Sequence, residues 1–154
     1  MLENRFQKAT DGKMTYAEQV KEYFAGDKFV AGLNVVIAEL SDAQAVVKVQ
    51  VKPEHLNANG AAQGGMLYTV ADYTFALLAN YLHPACVTQG GHIQYLRPVR
   101  LEEVAFIARE TARAGHNCTC EVLAKNAQGE VVCVCSFNGF IKDMGGKKLD
   151  KKEE

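Results

Sequence analysis

Residues 66–81, MLYTVADYTFALLANY, are the stretch whose reading decides the fold. The run contains neither Gly nor Pro, its apolar residues fall on nearly every side of a helical repeat, and His83-Pro84 breaks it off. That pattern predicts a helix, and a helix apolar all round belongs inside something. The wider run Gly64 to Leu82 is the most apolar of the chain, yet it carries Thr69, Asp72, Thr74 and Asn80 and is barely long enough to cross a bilayer. A membrane span is therefore rejected.

Working outward from this helix, both flanks read as strands. On the N-terminal side, Tyr16 to Ala25 is a short amphipathic helix that Thr15 caps with Glu18 three residues on; Val20, Tyr23 and Phe24 share a face, and Gly26-Asp27 ends it. Two β-rich runs follow, Leu33 to Leu40 and Ala45 to Val51, joined by Ser41-Asp42. In the second, Val47, Val49 and Val51 alternate with Lys48 and Gln50, the pattern of a half-buried strand. Pro53 stops it, and residues 55–65, HLNANGAAQGG, are too rich in Asn and Gly for a regular element. On the C-terminal side, Cys86 to Leu96, Val104 to Ala112, Asn117 to Lys125 and Val131 to Ile141 read as strands, the last two joined as a hairpin through Asn126 to Gly129.

One helix, two strands, a long apolar helix and several antiparallel strands have an obvious packing solution: a curved antiparallel sheet wrapped around the apolar helix, an α+β fold. Residues 15–143 form that domain, residues 1–14 precede it as an extension, and residues 144–154 read as a disordered tail of Gly, Lys, Asp and Glu.

With 154 residues, 48% of them hydrophobic, the chain has the size of one domain and the apolar content to build a core. Seventeen Lys and Arg against 18 Asp and Glu leave no global field to attract nucleic acid or an acidic membrane. The first residues lack the apolar core of a secretory signal, and five cysteines is an odd number. Both observations predict reduced thiols in the cytoplasm.

Two features of the central stretch point to chemistry. Gly64-Gly65 offers no side-chain cap, so the first N–H groups of the helix need acceptors and favour negative charge. A glycine pair also admits a ligand close to the backbone, as an oxyanion hole requires. The plain alternative is a tight turn packed on the sheet. Asp72 is costly to bury in an apolar helix unless paired or used, and could act as general base or nucleophile. The plain alternative here is a bond to a neighbouring hydroxyl, or a helix edge open to solvent. Eight residues at about 1.5 Å rise separate Gly64 from Asp72 by roughly 12 Å, too far for one thioester carbonyl to touch both. If both act on one substrate, they come from two chains related by a two-fold.

The segment HLNANGAAQGGMLYTVAD, residues 55–72, resembles the PaaI-like hotdog-fold thioesterases, in which a loop H-x-N-x-x-G-x-x-H-G-G leads into a helix carrying an acidic residue. The likeness extends over about residues 30–142 and includes the strand ending Ile93-Gln94-Tyr95-Leu96-Arg97-Pro98. It implies a hotdog fold, dimers that often pair into tetramers with active sites shared between subunits, and hydrolysis of an acyl-CoA thioester without metal or redox cofactor. Position by position it implies Asp72 as base or nucleophile and the Gly64 N–H as oxyanion donor. Asn57 would orient water or the leaving sulfur, Thr88 would hold the nucleophilic water, and Arg97 would lie near the CoA phosphates. Gln63 stands where the family usually has His; it keeps hydrogen bonding but cannot donate a proton as imidazolium does.

Other signals carry less. Cys118-x-Cys120 and Cys133-x-Cys135 invite a zinc reading, but residues two apart on a strand lie roughly 6.7 Å apart, nearly twice the spacing of thiolates around a zinc at about 2.3 Å. Packed core thiols and no metal are expected. Gln89-Gly90-Gly91 reads as a bulge or a close approach of ligand. His92 and His116 lack a nucleophile partner in any recognisable motif, and His55 is expected to brace its loop. Beside acyl-CoA hydrolysis stands a non-catalytic acyl-CoA-binding hotdog domain, a sensor or binder, suggested by Gln63 and the bare Gly90-Gly91. Hydratase chemistry on an enoyl-CoA would need an Asp and His pair in a motif the chain does not show.

Overall fold

The computed structural model describes residues 14–83 and 85–142. The readings of residues 1–13 and 143–154, the extension and the tail, lie outside the described residues.

Helix α1 (Tyr16–Phe24) starts at the predicted capping box, with Thr15 and Glu18 each satisfying the other's backbone N–H. A short helix α2 (Lys28–Ala31) follows, capped by Asp27, whose Oδ1 accepts from Phe29 and Val30 N–H at 3.0 Å. The Gly26-Asp27 pair that ends the first helix thus also begins a second, four residues long and too short to show a period. Strand β1 (Val36–Leu40) begins later than Leu33, because Asn34 takes φ +53° and turns the chain before the strand. Strands β2 (Ala45–Gln50), β3 (Cys86–Tyr95), β4 (Glu103–Ala114), β5 (Asn117–Lys125) and β6 (Val131–Ile141) follow the expected runs within two residues.

The strands form one antiparallel sheet in the order β1-β2-β4-β5-β6-β3. Helix α3 (Gly64–Leu82) packs against all six. Six strands about 4.8 Å apart span roughly 24 Å, twice the diameter of a helix, so one helix reaches them all only because the sheet curves around it. This is the α+β hotdog arrangement.

Phe75, Leu77 and Leu78 on α3 meet Val47, Val49, Phe106, Val122 and Phe137 from the sheet, all at most 2% exposed. Each such side chain contributes roughly 1.5–3 kcal/mol on burial. Helix α1 covers part of α3, with Val20 fully buried and the Phe24 ring set edge-on to Tyr73 at 5.9 Å. One stripe of α3 is left less covered. Gly65, Tyr68, Thr69, Asp72 and Ala76, at helical spacing, are only half-buried or exposed, so the helix is not sealed on every side as its composition suggests.

Candidate active site

Asp72 sits mid-way along that open stripe. Its helix neighbours Ala71 and Tyr73 point into the core, while its own carboxylate reaches β3, where the Thr88 hydroxyl donates to Oδ1 at 2.9 Å. The neighbouring-hydroxyl alternative is therefore realised, and by one of the residues the family pattern singles out. Burial pushes the Asp72 carboxyl above its ordinary value; the Thr88 hydrogen bond pulls it part of the way back, and the Asp27 carboxylate adds a small push upward. An accessible carboxylate whose basicity is raised and whose direction is fixed by a hydroxyl can take a proton from water or attack a carbonyl.

The first turn of α3 forms the second part of the site. The preceding loop is held from within: His55 Nδ1 accepts from Lys52 N–H at 3.1 Å, and the His55 carbonyl accepts from Gln63 N–H at 2.8 Å. Asn57 closes an Asx turn, its Oδ1 accepting from Asn59 and Ala61 N–H at 2.9 and 3.3 Å. Its side-chain oxygen is thus engaged with the loop, and only its amide nitrogen is left to face a ligand.

One expectation at this turn is corrected. The helix does have a side-chain cap: Gln63 Oε1 accepts from Met66 N–H at 2.9 Å. Gln rarely caps helices, which hides it from a reading based on Ser, Thr, Asp and Asn. The cap takes one orphan donor only, and the Gly64 and Gly65 N–H groups find no acceptor among the described residues.

Tyr95, unremarkable as an individual residue in the sequence, anchors the turn from the far end of β3. Its hydroxyl donates to the Gly64 carbonyl at 2.6 Å, and a Cβ on Gly64 would lie 2.9 Å from that oxygen. Gly65 is constrained similarly, since a Cβ there would meet Gln63 Oε1 at 2.9 Å. Asn57, Gly64, Tyr95 and Arg97 line one open cleft of about 360 Å³. Arg97 forms a 3.6 Å ion pair with Glu130, both side chains about half exposed. Asp72 and Thr88 lie outside this cleft. The structure therefore gathers the six site residues into two groups: Asp72 with Thr88, and Asn57, Gln63 and Gly64 with Arg97.

The bare Gln89-Gly90-Gly91 has a packing account. The β3–β6 register shifts between Thr88 and Gly90, a bulge at Gln89. A Cβ on Gly91 would lie 2.4 Å from the Tyr68 hydroxyl and 2.6 Å from the Phe137 ring, which stacks on Phe75. The CxC pairs do not face each other: Cys120 pairs with Phe137 and Cys135 with Val122. Burial pushes the thiols of Cys120 and Cys135 up to about 12 and that of Cys133 to about 11. His116 bonds the Ile141 carbonyl through Nδ1 at 2.7 Å, and His92 lies exposed on β3.

A model of the thioesterase superfamily matches residues 59–133, the segment from the site loop through β5 to the start of β6. A mutant of the phenylacetic acid degradation protein PaaI from Thermus thermophilus is 30% identical, superimposes with a TM-score of 0.72, and is covered over 100% of its length by 75% of this chain. The chain belongs to the PaaI-like hotdog thioesterase family. The acyl-coenzyme A thioesterase PaaI of Escherichia coli K12 is 31% identical over 75 residues, 49% of this chain and 54% of that one. A hypothetical thioesterase from Streptococcus pneumoniae TIGR4, solved with coenzyme A, is 28% identical with a TM-score of 0.74, over 79% of this chain and 95% of that one. As a member of the PaaI-like family, the chain is a thioester hydrolase. No helix among the described residues is long and apolar enough to cross a membrane.

Proposed function

We propose that this PaaI-like thioesterase hydrolyses an acyl-CoA or aryl-CoA to the free acid and CoA, at sites that two copies of the chain share. The observation that carries the reading is the accessible Asp72 carboxylate held by Thr88 on the open stripe of α3. Asp72 activates water or attacks the thioester carbonyl, and Thr88 fixes the carboxylate and the water. The Gly64 N–H, left free by the Gln63 cap, stabilises the oxyanion. The leaving thiolate needs no strong acid, so Gln63 in place of the family's His does not remove a required proton donor. CoA is part of the substrate, and no further cofactor is invoked. The coenzyme A of the pneumococcal relative supports the substrate class. Arg97 would exchange its ion pair with the exposed, screened Glu130 for a CoA phosphate.

A shared site accounts for the two separated groups. Along α3, Gly64 and Asp72 are roughly 12 Å apart, and each half lacks what the other holds. Strand β3, which carries Thr88, is one of the two edge strands of the sheet among the described residues, the other being β1, and it exposes Val87 and Tyr95. Docking two β3 edges across a two-fold would bring the open stripe of one α3 against the first turn of its partner. Pairing of such dimers into tetramers is compatible with the same surface.

The test is thiol release from a panel of short, aryl and long acyl-CoAs, with wild type and Thr88→Val followed across pH. Asp72 acts ionised, so turnover falls as pH falls through its pKa. Removing the Thr88 donor takes away the influence that lowers that pKa, so the acid limb of the profile moves to higher pH. Binding of acyl-CoA with no turnover on the panel would return the binder reading. An acid limb unmoved in Thr88→Val would separate Thr88 from the Asp72 chemistry.

A further inference from the structure

Eleven residues beyond Asp72, about 16 Å along the axis, α3 ends in a cluster of a different kind. His83 follows the last turn, 7% exposed, with its Nε2 in contact with a carboxylate oxygen of Glu110 on β4. The Cys118 thiol on β5 joins them: the His83 nitrogen, the Glu110 oxygen and the sulfur all lie within 4.8 Å of one another. Cys86, the first residue of β3, brings a second sulfur 3.6 Å from that of Cys118. One helix end and two strands thus bring an imidazole, a half-buried carboxylate and a thiol within reach of one another, and β3 sets a second thiol beside the first, outside that group of three.

The arrangement departs from packed core thiols in three ways. Imidazole, carboxylate and thiol together are the donor set that zinc takes. The 3.6 Å sulfur separation is close to the edge of a tetrahedron with metal–sulfur bonds of about 2.3 Å, roughly 3.8 Å. A disulfide fits less well: β3 and β5 flank β6, so the two chains are separated by two strand spacings, roughly 9.5 Å, whereas disulfide Cα atoms lie within about 6.8 Å. The backbone also makes room. A Cβ on Gly139 of β6 would lie 2.5 Å from the Cys86 sulfur and 3.2 Å from that of Cys118, so the sulfurs meet over a residue with no side chain. Ala85, at φ +68°, turns the chain so that Cys86 N–H reaches back to the His83 carbonyl at 3.2 Å, an H-x-x-C spacing closed on itself.

We propose that His83, Glu110 and Cys118, with the neighbouring Cys86 sulfur turning in as the fourth donor when the ion binds, form a structural site for a tetrahedral divalent cation of the zinc class. Four protein donors leave no open position, so the site does no hydrolysis; it ties the end of α3 to β3, β4 and β5. Binding releases the protons of both thiols, and the binding free energy adds to folding. It stands independently of the acyl-CoA reading, because none of its donors belongs to the Asp72 or Gly64 groups. The CxC pairs expected to pack in the core contribute only Cys118; Cys120, Cys133 and Cys135 take no part.

The full chain, stripped with chelator under reducing conditions, is titrated with Co²⁺, whose thiolate charge-transfer and tetrahedral ligand-field absorptions report the donors directly. The expected result is saturation at one Co²⁺ per chain with both absorptions, displacement by Zn²⁺, and a rise in Tm on adding Zn²⁺. Cys86→Ser with Cys118→Ser abolishes the thiolate absorption, Cys133→Ala retains it, and Glu110→Gln weakens binding while leaving it visible. A folded wild-type chain without thiolate absorption, an absorption that survives the double substitution, or a Cys86–Cys118 disulfide in freshly purified protein overturns the site. If the double variant does not fold, the wild-type titration decides.

Discussion

Replacing Asp72 by Asn is expected to lower turnover of the best acyl-CoA by ~10²–10⁴-fold, the usual contribution of a positioned general base. The amide is isosteric and keeps an oxygen to accept from the Thr88 hydroxyl, so the loss reports charge and basicity rather than packing. Stability should move the other way. The folded pKa of Asp72 lies above its unfolded value, mainly through burial, so its ionisation opposes folding. The stability linked to this group is present at low pH and is lost as pH rises through the folded pKa. Asp72→Asn removes that loss, and its Tm near neutral pH should exceed that of wild type. Activity falling while Tm rises marks a carboxylate kept for chemistry at the expense of stability. Wild-type turnover in Asp72→Asn would end the role proposed for Asp72, and a lower Tm would show that the carboxylate stabilises the fold.

Gly64→Val is the second large effect. The new side chain would start 2.9 Å from the Tyr95 hydroxyl, disturb the first turn and displace the proposed oxyanion donor. Loss of such a donor costs about 10²–10³-fold in turnover. The more informative measurement mixes this chain with Asp72→Ala, each almost inactive alone. In a shared site, a heterodimer combines the intact Gly64 of one chain with the intact Asp72 of the other and regains one of two sites. Random reassociation makes half the dimers mixed, so about a quarter of wild-type activity should return. Recovery near zero, with mixed dimers shown to form, would place both groups of one site in a single chain.

The helix at the centre and the final hairpin are legible in the sequence because each carries a long local pattern: β5 and β6 have the bounds their alternation predicts. Asp72 is visible for a related reason, as a charge where the local pattern wants none. Features built by register are not visible. Tyr95 lies 31 positions from Gly64, and only the β3–β6 pairing brings its hydroxyl to that carbonyl. His83 reads in the sequence as a helix stop, and its contact with Glu110 depends on where β4 crosses the end of α3. Gln63 reads as a departure from a family pattern, whereas its local task is to cap the helix. Helix α2 is too short for periodicity, and Asp27 announces it only as a turn residue.

The position of β3 in the sheet has a consequence for the order in which the molecule can be assembled. Among the described residues its one neighbour in the sheet is β6, with β4 and β5 intervening in the chain. As the polypeptide leaves the ribosome, Thr88 emerges on a strand with nothing to pair with until residues 131–141 are made. The hairpin of β1 and β2 and the β4–β5 pair can form beforehand from nearer partners. The Asp72–Thr88 contact is therefore completed late, and a nascent chain halted before β6 would carry both residues without the sheet that holds them together.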